Sequence, residues 1–188
     1  MDADADRAIV ARQLGREPRA FSRVAVRCPF GLPAVTEQHP YAPDGEPFPT
    51  TYYVTCRHLV AAISRLEAGG GVERWTALAE EDAELAASRA RADDDQRRIR
   101  HALAGDETGR DGGASLDLGV GGSGRTGSPR RRSRRRPEES PMALPSGSLK
   151  CLHAHAAFAL AQPGYELGRR ILAEVDPLWP ARCCTEES

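Results

Sequence analysis

The stretch Leu149-Lys150-Cys151-Leu152-His153-Ala154-His155 gathers the chain's one lysine, a thiol and two imidazoles. On a helix each residue advances about 100°, so side chains four apart are neighbours. Cys151 and His155 would then share a face with Phe158, while Leu149, Leu152, Ala156 and Leu160 form another, with His153 at its edge. Two more thiols, Cys28 and Cys56, each close a segment that reads as a strand. If those strand ends converge on the helix, Cys28, Cys56, Cys151 and His155 make the Cys₃His set that zinc binds tetrahedrally. The spacing is not that of a zinc ribbon or finger, and a small buried hydrophobe explains each cysteine taken singly. Lys150 and His153 would sit beside the centre, as anion contacts or as surface.

The same residues support metal-free chemistry. Cys56 and Cys151 fall in the first turns of expected helices, where the helix dipole favours a thiolate. His155, or His58 beside Cys56, would serve as the base of a Cys-His nucleophile pair. Cys151, Cys56 and His155 are therefore the candidate catalytic residues of a thiol-dependent enzyme. A third reading has no chemistry: an interaction module that contacts nucleic acid or an acidic partner through Arg130–Arg136, six arginines in seven positions. Such a run binds phosphates without sequence preference, but no aromatic residue accompanies it for base stacking. A solvated linker is its ordinary explanation.

The elements that must position these groups follow from periodicity. Ile9, Val10 and Leu14 suggest a short helix ending near Gly15. "FSRVAVRC" (21–28) and "TTYYVTC" (50–56) alternate as strands. Between them, "PFGLP" and the proline-rich 39–49 read as a long rigid connection. Leu59, Ile63 and Leu66 define a helix with Thr55 as N-cap and Gly69 at its end. Another helical stretch covers about 72–103, with a solvated face or break at 88–95, where an apolar stripe is lacking. Residues 105–147 are rich in Gly, Ser, Pro and Arg and read as disordered, "SLDLGVGG" (115–122) excepted. "GVGGSGRTG" (119–127) is no P-loop, because the lysine and the following helix are missing. Helices at 149–161, capped by Ser148, and 165–175 complete the reading.

The expected fold is thus a small single α+β domain, two or more short strands packed with four to five helices. It is built from 5–104 and 148–182, with a disordered Gly/Ser/Arg-rich insertion at 105–147 and flexible tails at 1–4 and 183–188. A length of 188 residues, with 40% hydrophobic and 28% charged residues, suits that size. Aromatics are 5%, so aliphatic residues and alanine must fill the core. All but one of the 26 basic residues are arginine, and the net charge is −1, which points to neither nucleic acid nor membrane. The acidic start Met1-Asp2-Ala3-Asp4 is unlike a secretory signal, and no run is long enough to span a bilayer. Five cysteines, two of them the adjacent Cys183 and Cys184, do not read as a disulfide framework. Together these features imply a cytoplasmic protein.

"VARQLGREPR", "VAVRCPFGLP", "PFPTTYYVTC", "ISRLE", "GVGG" and "KCLHAHAAFALA", in that order, resemble a mainly actinobacterial family catalogued as domain of unknown function 501. The resemblance implies a small cytoplasmic bacterial protein and brings no activity with it. Where the family usually has Thr-Cys-Pro, this chain has Thr55-Cys56-Arg57.

Overall fold

The computed structural model describes residues 3–122 and 148–183. Its sheet has three antiparallel strands in the order β1 (Phe21–Arg27), β2 (Pro33–Gln38), β3 (Tyr52–Val54). The central strand, β2, lies inside the stretch expected to be a rigid connection. Pro33 hides it: a proline has no N–H to give a ladder, yet it is tolerated as the first residue of a strand. Thr36, Glu37 and Gln38 hide it further, because a fully buried strand rarely carries them. Each is satisfied locally. Arg23 on β1 grips Glu37 through two bonds of 2.8 and 2.7 Å. Gln38 donates to the Thr36 hydroxyl at 2.7 Å.

The described residues form six α-helices besides the sheet. They are α1 (Ala3–Leu14), α2 (Arg57–Ala68), α3 (Gly71–Glu81), α4 (Ala83–Ala104), α5 (Leu152–Ala161) and α6 (Glu166–Leu172). The stretch expected as one helix over 72–103 is α3 and α4, and its break falls at Asp82 instead of 88–95. The Asp82 carboxylate accepts from the amides of Glu84 and Leu85, capping α4 as it ends α3. Residues 88–95 are helical, and Ser88 and Ala92 are buried together with Gln96 and Arg100 one and two turns on. The stripe escapes a hydrophobicity pattern because it is small or polar, and its hydrogen bonds reach distant segments; Arg100 is held through Nε, while its two Nη atoms are buried without a hydrogen-bond partner among the described residues. Ser88 Oγ accepts from the Glu166 amide at 2.9 Å. Gln96 donates to the carbonyls of Leu118 and Gly119, and Arg100 Nε to that of Ser115. These bonds fold residues 105–122 against α4. That segment, expected to be largely disordered, carries short 3-10 turns at Ala114–Asp117 and Val120–Gly122. Arg130–Arg136 and Cys184 lie outside the described residues.

The α5 helix runs through the middle of the core, with Leu152, Ala154, His155, Ala156, Ala157 and Phe158 all buried. The expected division into an aliphatic face and a Cys/His face therefore does not hold, since nearly every side of α5 meets another element. Phe158 packs edge-on against Tyr52 of β3 and against Tyr165, each with ring centres 5.6 Å apart. The α6 backbone approaches so closely that a Cβ on Gly168 would stand 2.6 Å from both the Ala159 Cβ and the His155 carbonyl oxygen. Gly168→Ala is expected to force α5 and α6 apart and cost about 1–3 kcal/mol. Chemical denaturation would read this as a lower midpoint at unchanged slope.

Candidate functional site

The helix start at Cys151 determines the local chemistry. α5 begins at Leu152, so Cys151 occupies the N-cap position, and its side chain makes no capping bond. It lies at the boundary of the helix and not in the first turn, and the expected Ser148 cap falls three residues too early. An uncapped N-terminus leaves amides in need of acceptors. The acceptor comes from another helix: Glu67, in the last turn of α2, takes the Leu152 N–H on Oε1 at 2.6 Å. Its carboxylate is thus placed at the positive end of the α5 dipole.

Glu67 Oε2 faces His153 Nδ1 at 3.2 Å. On the far side of the ring, Nε2 lies 3.2 Å from the Val60 carbonyl oxygen and 3.3 Å from Ser64 Oγ, both on α2. A carbonyl only accepts, so Nε2 carries the proton and donates it. Burial would push His153 down. The hydrogen bond with Cys151, the Glu67 charge and the Val60 carbonyl outweigh it, raising the imidazole to about 9. The ligand atoms of Glu67, Cys151 and His153 all lie within 4.8 Å of one another. Cys151 and His153 also line a cleft of about 370 Å³ whose other walls include Tyr52, Tyr53, Val60 and Gly121.

Among the described residues, this is the group of three or more such donors close enough to share an ion. It is not the expected set, with which it shares only Cys151. β1 and β3 each run antiparallel to β2, so both point the same way, and their ends lie at one end of the sheet with β2 between them. Cys28 and Cys56 follow those ends as buried members of the apolar core. Cys56 occupies the N-cap position of α2, just ahead of its first turn, and is 1% exposed. His58 turns to the Pro177 carbonyl, to which its Nε2 donates at 2.8 Å. His155 is sealed in the core, where burial drives its imidazole down to about 3, so the ring is neutral. Its Nδ1 pairs with the Tyr165 hydroxyl at 2.6 Å. Lys150 is exposed and donates to the Gly122 carbonyl at 2.8 Å.

Sequence reasoning missed Glu67, although a signal existed. A carboxylate in the last turn of a helix opposes the dipole of that helix. Such a residue needs a reason, and here the reason is a second helix whose N-terminus it caps.

Fold and site together define a small α+β protein with a Cys/His/Glu cluster drawn from two distant segments, two of whose members line a cleft. Residues 24–172 match a family model described as "Protein of unknown function (DUF501)", and the chain belongs to that family. No curated protein and no solved structure matches the chain. Among the described residues, no helix is long and apolar enough to cross a membrane.

The raised His153 value has a definite sign. The charged pair stabilises the fold fully below the unfolded value of about 6.5, and the contribution is lost as pH rises through about 9. An NMR titration of the His153 ring should show a midpoint near 9. In Glu67→Gln, which keeps the cap on Leu152 but removes the charge, the midpoint should fall by about one unit or more. An unchanged midpoint in the variant would show that Glu67 does not hold the proton.

Proposed function

We propose that the protein is a metal-binding protein whose ion, of the zinc class, is held by Cys151 Sγ, His153 Nδ1 and Glu67 Oε2. The observation that carries this reading is the direction of the His153 ring. Because Nε2 already donates to Val60, a neutral ring turns the lone pair of Nδ1 towards a carboxylate oxygen and beside a thiol. Three donors converge there, and a cation is needed between them: a proton at low pH, a metal ion when one is available. A ring N–H donated to a backbone carbonyl is also what orients metal-ligating histidines in general.

The donor types agree with the ion. Thiolate, imidazole and carboxylate together suit zinc, at about 2.3 Å for sulfur and about 2.0–2.2 Å for nitrogen and oxygen. Three protein ligands leave a fourth position, and the cleft beside Cys151 and His153 supplies room for it. Zinc in such a setting supplies an acidified water or polarises a carbonyl or phosphoryl oxygen. The chain's own part is to fix the three ligands. α2 contributes Glu67 and orients His153 through Val60, and the N-terminus of α5 presents Cys151.

A thiol nucleophile remains the second reading, favoured by the order Cys151, His153, Glu67, which resembles nucleophile, base and orienting acid. It fits less well, because Nε2 is taken by Val60 and Glu67 faces Nδ1, so the ring has no nitrogen to give to Cys151 alone while Glu67 orients it from the other.

Protein prepared without a histidine tag should bind close to one equivalent of zinc. Cys151→Ser and His153→Ala should each weaken binding at least about tenfold, whereas Cys28→Ser and Cys56→Ser should not. Affinity should climb between about pH 6 and 9 as the competing proton leaves His153. Failure to bind zinc at pH 8, together with His153-dependent alkylation of Cys151, would replace this reading with the thiol one.

A further inference from the structure

A second feature lies away from the Cys/His/Glu cluster. Between the exposed face of α2 and the segment that follows α6 there is a groove of about 680 Å³, lined by Arg57, His58, Ala61, Arg65, Pro180, Ala181 and Arg182. Arg57, Ala61 and Arg65 are spaced four apart on α2, so they form one line about 12 Å long on a single face. Arg182 closes the opposite wall. The small Ala61 and Ala181 leave the floor open between the guanidinium groups. The bond from His58 Nε2 to the Pro177 carbonyl fastens the two walls together.

The groove gathers arginines of one kind. Arg23, Arg74, Arg169 and Arg170 each meet a carboxylate. Arg57, Arg65 and Arg182 are exposed and make no ion pair with another described residue, and among the described residues no acidic side chain lines the groove. The groove also begins at the N-terminal end of α2, the positive end of its dipole. Three guanidinium groups lining one groove attract anions, and guanidinium groups favour the paired oxygens of phosphoryl and carboxylate groups.

We propose that this groove is a binding site for a small ligand carrying at least two oxyanion groups, phosphoryl or carboxylate, spread so that Arg57, Arg65 and Arg182 can be engaged together. A lone small anion cannot span two turns of helix. Among the described residues the lining holds no Phe, Tyr or Trp on which a nucleobase could stack, and its one imidazole, His58, is tied to the Pro177 carbonyl.

Inorganic pyrophosphate and citrate, titrated calorimetrically at low ionic strength, separate the two oxyanion sources, with orthophosphate as the single-anion control. At least one of the two should bind with a stoichiometry of one, about tenfold or more tighter than orthophosphate, and should weaken as salt is raised. Arg57→Ala, Arg65→Ala and Arg182→Ala should each reduce affinity by about two- to fivefold, as expected for exposed charge pairs. The triple variant should lose binding. Because both ligands chelate metals, the titration is repeated in Cys151→Ser, and equal affinity there assigns the binding to the groove and not to the metal cluster. No binding of either ligand, orthophosphate binding as tightly as both, or affinity that survives in the triple variant would overturn the proposal. Binding confined to a longer polyanion, such as a 12-mer single-stranded DNA, would also overturn it and assign the groove to nucleic acid.

Discussion

One carboxylate organises this molecule. Helix α5 enters the core with Cys151 at its N-cap position and no side-chain cap of its own. Glu67, 85 residues earlier in the chain, supplies the missing acceptor. The bond ties the end of α2 to the start of α5, and it sets a negative charge where the α5 dipole is positive. Everything near the cleft follows from that placement. The second oxygen of Glu67 meets His153, the far nitrogen of His153 reaches back to Val60 on α2, and the Cys151 thiol is left beside both. A structural tie between two helices thus doubles as a converging set of hard and soft donors.

The buried interior shows why such a set sits at the boundary of the core and not within it. His155, only two residues further along, is fully enclosed, and there burial keeps the ring neutral. His153 is partly exposed and faces a carboxylate, so its ring is held charged up to about pH 9. The two imidazoles differ in environment, not in chemistry. A ligand or a proton can come and go only at His153, where the cleft opens.

Much of the scaffold was legible from residue pattern. The strands at 21–28 and 50–56, the helix of Leu59, Ile63 and Leu66, and the helix carrying Cys151 are all present within a few residues. What escaped was structure stabilised by polar groups at long range. β2 could not be read because Glu37 and Gln38 are unfavourable in a buried strand until Arg23 and Thr36 are placed beside them. The buried stripe of α4 could not be read because Ser88, Gln96 and Arg100 find their partners in α6 and in the loop at 115–119. The site was half legible for the same reason. Cys151 stands out by its type, and spacing of four favours His155 over His153 as its neighbour on one helical face. Spacing does not reveal which side of a helix meets the core. α5 is buried almost all round, so the residue in register with Cys151 was lost to packing, and the one nearer the helix start kept its access.

X-ray absorption at the zinc edge of the zinc-loaded protein reads the donor atoms themselves. A centre of Cys151, His153 and Glu67 predicts one sulfur at about 2.3 Å and two or three nitrogen or oxygen donors at about 2.0–2.2 Å, with the sulfur absent in Cys151→Ser. A first shell with three sulfurs would restore the set of Cys28, Cys56 and Cys151, and a shell with none would remove Cys151 from the metal; either result would contradict the site described here.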